Sequence, residues 1–461
     1  MLIKIPSNSL VAMVGVSGSG KSSFAHKYFN TTPNPIVSSD KCRLYLQAEP
    51  HGITQKELQK YSDGAFNIFH ATLEAKLMHN QLAVADATNL NPESRQKIEQ
   101  IAKAHYAPIY YIVLNTPLET CIARDNSRDE YTKIGESVVR KQHSKFRSTY
   151  NFLKKNNNVF IVNTDDEVSV ELVSTKNTID IDHGIDIDHG IDIISDVHGC
   201  SEELYELLGK LGYIIDEQNI GHPDGRKIAF VGDIADRGDE NYKCIELAKY
   251  IVENNMGWWC MSNHDNKLMR YLNGRKVNIS HGLDKTIAQI PESEYDSLKQ
   301  FMYKNLKSYY HFKHTSGEDV VVTHGAFKKE FIGKSHRDID EYCMYGPTNG
   351  NDENGMPLRI DWANSYKGPF TVFGHAVCGI APQQYKHAVN IDTGCVFGGN
   401  LSAYSWPEKT VVQVKAKQIY DDSKPDLFEA KQNVELTIQE LLDTNIIEVE
   451  DHNGNNITLR L

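Results

Sequence analysis

Long apolar runs are absent from this sequence. No stretch approaches the roughly 20 consecutive apolar residues that a membrane helix needs, although 40% of the 461 residues are hydrophobic. Paired cysteines are absent too. The eight cysteines stand singly, with no CxxC spacing, which argues against a disulfide framework or zinc ribbon and favours a reducing, cytoplasmic setting. The opening MLIKIPSNSLVAMVG lacks the small-residue cleavage site of a secretory leader and runs straight into a glycine-rich loop. Positive charge is also short. A net charge of −12 speaks at first against a polyanionic partner, because phosphate backbones are bound by Lys and Arg.

That shortage is not uniform. Residues 1–174 hold 20 Lys and Arg against 17 Asp and Glu, net +3, whereas the remainder holds 29 against 44, net −15. Between Arg124 and Lys155 lie nine basic and four acidic residues. This run reads either as a solvated helical face or as a surface for phosphates. The acidic second half suits metal sites better than a long basic groove.

Strand-like and helix-like patterns alternate through residues 1–174. Strands are predicted at Leu10–Val14, Ile36–Ser38, 82–85, 108–114 and 159–162, with helices over 54–78 and Pro92–Ala104, the second opened by a helix-start proline. Such alternation predicts a doubly wound parallel sheet. Residues 179–194 read IDIDHG-IDIDHG-IDII. Two and a half copies are too few for a solenoid; a metal site is one reading and a duplicated linker over 175–190 the favoured one. A second α/β domain, with a β-sandwich core, is expected over 191–414. Its strands are predicted near 192–195, 228–231, 258–261, Val320–Thr323, 371–373 and 389–391. Residues 415–461 carry no chemical motif, only a helix expected over 436–442 and a hairpin turned at Asn453-Gly454.

Four motifs share the first domain. Gly15-Val-Ser17-Gly18-Ser-Gly20-Lys21-Ser22 has the spacing GxxxxGK[ST] between a strand and a helix. Its glycines let successive N–H groups turn inward on a phosphate chain. Lys21 then reaches the β- and γ-phosphates of ATP, and Ser22 holds Mg²⁺. Asp40 and Arg43 follow the second strand, where a carboxylate can take the proton of an attacking hydroxyl and a guanidinium can hold an acceptor phosphate. An N-capping Asp beside a surface Arg is the plain alternative. Asp86, in Val84-Ala-Asp86-Ala-Thr88-Asn89, ends another strand and suits an ATP-side, Walker-B-like role or a simple cap. Arg124 and Arg128, four apart, are expected on one helical face, placed to close on the transferring phosphoryl group.

The second domain carries Asp196-Val-His198-Gly199, Gly232-Asp233-Ile-Ala-Asp236-Arg237-Gly238, Ser262-Asn263-His264-Asp265, Thr323-His324-Gly325, Gly374-His375 and Asn390-Ile-Asp392-Thr-Gly394. The first three follow apolar strands, so carboxylates and imidazoles emerge from adjacent strand ends. Oxygen and nitrogen donors without thiolates suit Mn²⁺, Ni²⁺ or a similar first-row ion. Two such ions about 3.5–4 Å apart clamp a phosphate and activate water.

These second-domain blocks resemble the calcineurin-like metallophosphoesterases in their GDxxDRG form. The resemblance implies Asp196, His198 and Asp233 on one metal, with Asp233 bridging to a second completed by Asn263, His324 and His375. It implies His264 as proton donor to the leaving oxygen, Asp236 orienting it, Arg237 on the phosphoryl oxygens, and Asp392 as ligand or support. Ser262 stands where the family has Gly in GNH[DE]. Gly374-His375 lacks the second His of GHxH, which places the chain nearer the phosphoprotein and dinucleotide phosphatases. The four first-domain motifs resemble the kinase module of polynucleotide 5′-kinases, which implies Asp40 as base toward a 5′-hydroxyl, Arg43 on the acceptor phosphate and Arg128 on ATP.

The order kinase-then-phosphatase resembles the bacterial polynucleotide kinase-phosphatases, whose segments comparable to 281–286 and 343–362 shape the pocket for nucleic-acid ends. The expected function is end healing, with RNA or DNA ends as partners: phosphorylation of a 5′-hydroxyl and removal of a 3′-phosphate or 2′,3′-cyclic phosphate. Members of that family carry a ligase domain; no KxDG motif occurs here, so sealing is expected to need a separate ligase. Other readings are a dinucleotide-tetraphosphate hydrolase fused to a small-molecule kinase, a phosphoprotein phosphatase with an ATP-binding regulatory domain, and a non-catalytic nucleotide-gated module.

Overall fold

The structure is a computed structural model of the chain. It describes residues 1–46, 55–130, 132–173, 178–180, 189–215, 220–313, 317–353, 355, 357–424, 446–450 and 456–460. Two compact units divide it: Met1–Asn177 with Glu330–Ile339, and Thr178–Lys329 with Asp340–Leu461.

In the first unit, all five residues of Leu10–Val14 are buried, as a continuous apolar strand requires both faces of its sheet covered. Its side chains divide by parity: Leu10, Ala12 and Val14 join one apolar cluster, Val11 and Met13 another. Ile36–Ser38, Ala83–Asp86, Leu10–Val14, Ile109–Asn115 and Val159–Asn163 run parallel in that spatial order. Ser62–Met78 and Pro92–Ala104 pack on one face and Lys21–Phe29 on the other. The strands that follow Leu10–Val14 are laid first on one side of it and then on the other, and a ligand crevice opens at its C-terminal end.

Two helix expectations need correction. The stretch predicted over 54–78 is broken into Gln55–Leu58, a 3₁₀ turn Gln59–Tyr61, and Ser62–Met78. The helix carrying Arg124 stops at Asn126, so Arg128 does not share its face. Buried Asp125 accepts the Gly135 N–H at 2.9 Å, which draws the chain back across the helix end.

In the second unit, one sheet runs Gly257–Trp259, Lys227–Phe230, Ile191–Ile194, Asn400–Trp406, Thr410–Lys415, its first three strands parallel. The other runs Gln383–Gln384, Ala388–Asn390, Phe370–Phe373, Val320–Thr323, Tyr309–Lys313, Thr178–Asp180. Ile191, Ile193, Ala229 and Val231 of the first share one core with Val320, Val322, Val372 and Val389 of the second. The outer face of the first sheet, with Ile194 and Phe230, packs on Leu204, Leu207, Ile245 and Ile251 of flanking helices. The result is a sheet-on-sheet sandwich with helices outside.

Thr178–Asp180, expected inside a linker, forms an edge strand parallel to Tyr309–Lys313; residues 181–188 lie outside the described residues. Asp192, from the third copy of the repeat, is structural. It accepts from Arg226 at 2.9 and 3.0 Å, from Tyr213 at 2.9 Å and from Ser405 at 2.6 Å, so its buried carboxylate is fully engaged. Ile446–Glu450 pairs antiparallel with Asn456–Arg460; the turn expected at Asn453-Gly454 and the helix expected over 436–442 lie outside the described residues. Among the described residues, no helix is long and apolar enough to cross a membrane.

Candidate active sites

The first site sits at the C-terminal end of Leu10–Val14. Gly18 takes φ +83°, and a Cβ there would stand 2.4 Å from Cys121 O, so only glycine lets the loop pack on the helix Leu118–Asn126. Gly20, at φ +97°, leads into Lys21–Phe29. Ser22 Oγ donates to Asp86 at 2.7 Å. This follows from direct pairing of the P-loop strand with Ala83–Asp86, with no strand between. Lys21 Nζ donates to Val16 O at 2.9 Å. Burial lowers the Lys21 ammonium to about 8, against the opposing pull of Asp86 and Asp40, and burial likewise raises Asp86.

Arg43 is nearly buried and anchored by Asp40 at 2.6 Å, by Ser62 at 3.3 Å, and by the Phe66 ring at 5.6 Å. Asp40 itself is 68% exposed, open to an acceptor. Arg124 Nη1 approaches Gly18 O at 3.4 Å and Arg128 pairs with Asp125 at 3.5 Å. Both arginines line a cavity of about 570 Å³ together with Gly18, Gly20, Lys27 and Tyr28, within the range of small-ligand pockets. The cavity, and not the shared helical face expected from their spacing, brings the two arginines together. Ser17 N–H donates to Gln142 Oε1 at 2.8 Å, so the basic helix Glu136–Leu153 supports the loop; no motif marks Gln142.

The second site gathers residues from the C-terminal ends of strands in both sheets. Asp233 is its centre. Its carboxylate lies 3.4 Å from His198 Nε2 and 3.5 Å from His324 Nε2. Two triples, His198–Asp233–His264 and Asp233–His324–His375, each bring their ligand-type atoms within 4.8 Å of one another. Asn263 Oδ1 and His375 Nδ1 both lie 2.9 Å from His324 Nε2. Asp196 falls in neither triple, yet it accepts the His375 N–H at 3.0 Å and stands 3.7 Å from His324. His198, Asp233, Asp236, Arg237 and His375 all take positive φ, between 49° and 74°. Such backbone persists only where the surroundings over-determine it.

These residues fit divalent cations. Asp196 Oδ2 and His375 Nε2 are buried without a hydrogen-bond partner, an arrangement that is costly unless something else satisfies them. Burial raises Asp196 well above the carboxylate range, with Asp392 and Asp233 adding like-charge repulsion; burial raises Asp392 to about 6. Burial takes His198 down to about 4 and lowers His324 and His375, leaving neutral imidazoles. His198 Nδ1 lies 3.1 Å from Ala235 O, which turns Nε2 toward Asp233. Asp392 accepts the Gly394 N–H at 3.0 Å and lies outside both triples.

His264 Nδ1 is 2.6 Å from Asp236 Oδ2. Burial works against its protonation, but Asp233 and Asp236 outweigh burial and hold it above the usual histidine value. Asp236 is held in turn by Thr286, whose hydroxyl donates to Oδ1 at 2.6 Å and accepts the Asp236 N–H at 3.1 Å. Ser262 needs no glycine conformation. It caps Asn263–Leu272 from an extended backbone at φ −105°, its Oγ accepting the Asp265 N–H at 3.0 Å and donating to Asp265 at 2.7 Å.

Sequence reasoning missed Thr286 as the partner of Asp236, and it missed Phe397, Asp421 and Lys424. Arg237 pairs with Asp421 and lies 5.3 Å from the Phe397 ring; Lys424 lies 4.6 Å from the same ring. The segment 343–362 borders a cavity of about 280 Å³ that reaches His375 and is lined by Arg359, Trp362 and Tyr385.

Fold and sites together define a P-loop nucleotide-binding unit followed by a metal-dependent phosphoesterase unit. Residues 10–153 match the family model described as an AAA domain, and 189–379 match that of the calcineurin-like phosphoesterases. Over 233 residues the chain is 39% identical to the bis(5′-nucleosyl)-tetraphosphatase PrpE [asymmetrical] of Halalkalibacterium halodurans, covering 49% of this chain and 93% of that protein. The Bacillus subtilis counterpart is 36% identical over 238 residues, covering 50% and 96%. The chain belongs, through its second half, to the calcineurin-like phosphoesterases. Among solved structures it is similar to one of the Pnkp1/Rnl/Hen1 RNA repair complex, at 20% identity and TM-score 0.28, covering 56% of this chain and 81% of that one. It is also similar to a protein serine/threonine phosphatase from Saccharomyces cerevisiae, at 13% identity and TM-score 0.37, covering 53% and 84%. Likenesses this distant carry no functional argument.

Proposed function

We propose that this chain is a bifunctional enzyme of nucleic-acid end healing. The first unit phosphorylates a 5′-hydroxyl with ATP; the second removes a 3′-phosphate or opens and removes a 2′,3′-cyclic phosphate. The observation that carries the reading is the Asp40–Arg43 pair, with Asp40 near enough to Lys21 to oppose the fall of its pKa. A kinase of a small neutral alcohol needs a base there, whereas an acceptor with its own backbone phosphate also needs a fixed cation. Arg43, held by Asp40, Ser62 and Phe66, is such a cation, and Asp40 keeps an exposed oxygen for the hydroxyl proton. Lys21 and the P-loop amides bind the triphosphate, Ser22 and Asp86 hold Mg²⁺, and Arg124 and Arg128 neutralise the transferring group.

In the second unit Asp196, His198 and Asp233 would hold one cation, and Asp233, Asn263, His324 and His375 the other, with Asp392 in support. Bound cations there polarise the phosphoryl group and lower the pKa of water. Arg237 binds phosphoryl oxygens, and His264, oriented by Asp236 and Thr286, hands its proton to the leaving oxygen. Arg359 and Trp362 beside His375 offer a cation and an aromatic face to a nucleotide.

The second reading is an asymmetrical dinucleotide tetraphosphatase fused to a small-molecule kinase. The 39% identity to PrpE over the second half favours it. Three parallel assays separate the two: labelled ATP with a 5′-hydroxyl oligonucleotide, cyclic-phosphate RNA with Mn²⁺, and diadenosine tetraphosphate with Mn²⁺. End healing requires label transfer and phosphate release in the first two. Hydrolysis of the dinucleotide alone would replace it with the tetraphosphatase reading.

A further inference from the structure

Arg237 reaches the phosphoesterase site on a long side chain, and freezing such a chain costs rotamer freedom. The structure provides a socket that does so before any substrate arrives. The Phe397 ring lies 5.3 Å from the guanidinium, and the Asp421 carboxylate pairs with Nη1. Side-chain exposure is only 13% for Arg237 and 17% for Asp421, so the pair is largely removed from water, where charge-assisted bonds gain strength.

Asp421 is itself fixed from several directions. The backbone N–H groups of Tyr420 and Asp421 both donate to Val396 O at 3.0 Å, and the Ala416 N–H donates to Gly399 O at 2.9 Å. The Tyr420 hydroxyl meets the fully buried Glu203 carboxylate at 2.9 and 3.0 Å, and the Lys417 N–H adds a third bond to Glu203 at 2.7 Å. Gly398 lies directly under Ile419, where a Cβ would come within 2.8 Å of Cγ1. The Ser423 N–H donates to Asp421 Oδ1 at 2.9 Å. Burial pushes the Asp421 carboxyl up, but the Ser423 bonds and Arg237 overcome it and hold it at about 2. A segment with so many anchors serves as framework rather than as a loose end.

We propose that Asp421 is a positioning residue for phosphoester hydrolysis, fixing the Arg237 guanidinium so that its other donors face the phosphoryl oxygens. The inference rests on Arg237 being the phosphoryl ligand. A guanidinium carries five N–H donors in a planar fork, and the pair with Asp421 engages Nη1, so Nε and Nη2 remain for substrate. The carboxylate pins one end of the fork while the Phe397 ring lies against the guanidinium, so the two contacts together restrict how it can turn.

The test uses the full chain with Mn²⁺, p-nitrophenyl phosphate as substrate and inorganic phosphate as competitor. Asp421→Ala should raise KM and the phosphate inhibition constant roughly tenfold, the order expected on losing a hydrogen bond to a charged group, with a smaller change in kcat. Asp421→Asn, which keeps an acceptor at the same place, should recover most of that loss. In an Arg237→Ala background Asp421→Ala should add nothing, since the double-mutant cycle isolates the pair. Tighter phosphate binding in Asp421→Ala would overturn the proposal and make the carboxylate a competitor for Arg237. An equal loss in the Arg237→Ala background would also overturn it, assigning the effect to folding. If Arg237→Ala alone leaves KM and phosphate inhibition unchanged, the phosphoryl role of Arg237 fails first, and that result is distinct from either outcome for Asp421.

Discussion

The two sites handle the same chemical group with opposite strategies. The first is made chiefly of backbone on one continuous loop, and its charged side chains are satisfied from within: Lys21 by Val16 O, Ser22 by Asp86, Arg43 by Asp40. The second is made of side chains from strand ends in two sheets, and it concentrates polar groups that their neighbours do not satisfy. Asp196 Oδ2 and His375 Nε2 have no partner, and Asp196, Asp233 and Asp392 repel one another. A loop cradle is locally stable with or without its phosphate. A crowd of carboxylates and neutral imidazoles is stable chiefly around cations, so metal binding and folding are coupled there.

The largest test of that contrast is to remove the centre of each site. Asp233→Ala takes away the carboxylate common to both triples and should cost several kcal/mol of transition-state stabilisation, about 10³-fold in phosphate release, while label transfer from ATP is unchanged. Lys21→Ala should lower label transfer roughly 10²- to 10³-fold, as loss of one preorganised donor does, while phosphate release is unchanged. Rates of both reactions, measured on both variants, decide it; loss of both activities in either variant would break the picture of two independent sites.

Next in size is the stability difference. Mn²⁺ at about 100 times its dissociation constant should stabilise the second unit by about 2.7 kcal/mol, a rise of roughly 5–10 °C in its melting transition, reversed by EDTA. The same addition without nucleotide should leave the first unit's transition where it was. Differential scanning calorimetry of the full chain reads both; a shift confined to the first unit would invert the comparison.

What was legible in the sequence follows the same division. The P-loop is contiguous, so Gly15 through Ser22 declare both fold and chemistry, and the metal blocks each begin where an apolar strand ends, so Asp196, Asp233 and His324 could be placed on one rim. Alternation of strand-like and helix-like patterns made the doubly wound sheet readable as well. The supports were not legible. Thr286 sits in the helix Leu283–Gln289, Phe397 in the 3₁₀ turn Cys395–Phe397 and Asp421 beyond the strand Thr410–Lys415, segments brought together only by folding, and no spacing connects Asp421 with an arginine 184 residues away. Arg128 misled for the opposite reason. A spacing of four implies one helical face only while the helix continues, and the capture of Gly135 by Asp125 ends it. Thr178–Asp180 was hidden because a three-residue edge strand has too little pattern to stand out from a repeat.

Thr286 gives an intermediate test of how far the second site depends on such supports. Thr286→Val removes both bonds to Asp236 and should lower kcat for phosphate release roughly tenfold, the lower end for residues that orient a site from behind, with Thr286→Ser near the parent rate. Unchanged kcat in Thr286→Val would mean that the bond between His264 and Asp236 keeps its geometry unaided.

The smallest effect comes from the position that departs from the family pattern. Ser262 caps Asn263–Leu272 and exchanges bonds with Asp265, so the helix start that carries Asn263 and His264 is fixed by side-chain hydrogen bonds rather than by a glycine turn. Ser262→Ala removes the cap acceptor and should cost about 1 kcal/mol of stability, whereas Ser262→Gly should cost only a few tenths. The neighbouring loop explains why the parent tolerates serine: Gly232, at φ +119°, leaves room where a Cβ would stand 2.6 Å from that of Ser262. Urea titration followed at the second unit's transition measures both variants. A larger loss in Ser262→Gly than in Ser262→Ala would show that backbone restraint, not the hydroxyl, sets this helix start, and that the second site relies on local backbone as much as the first does.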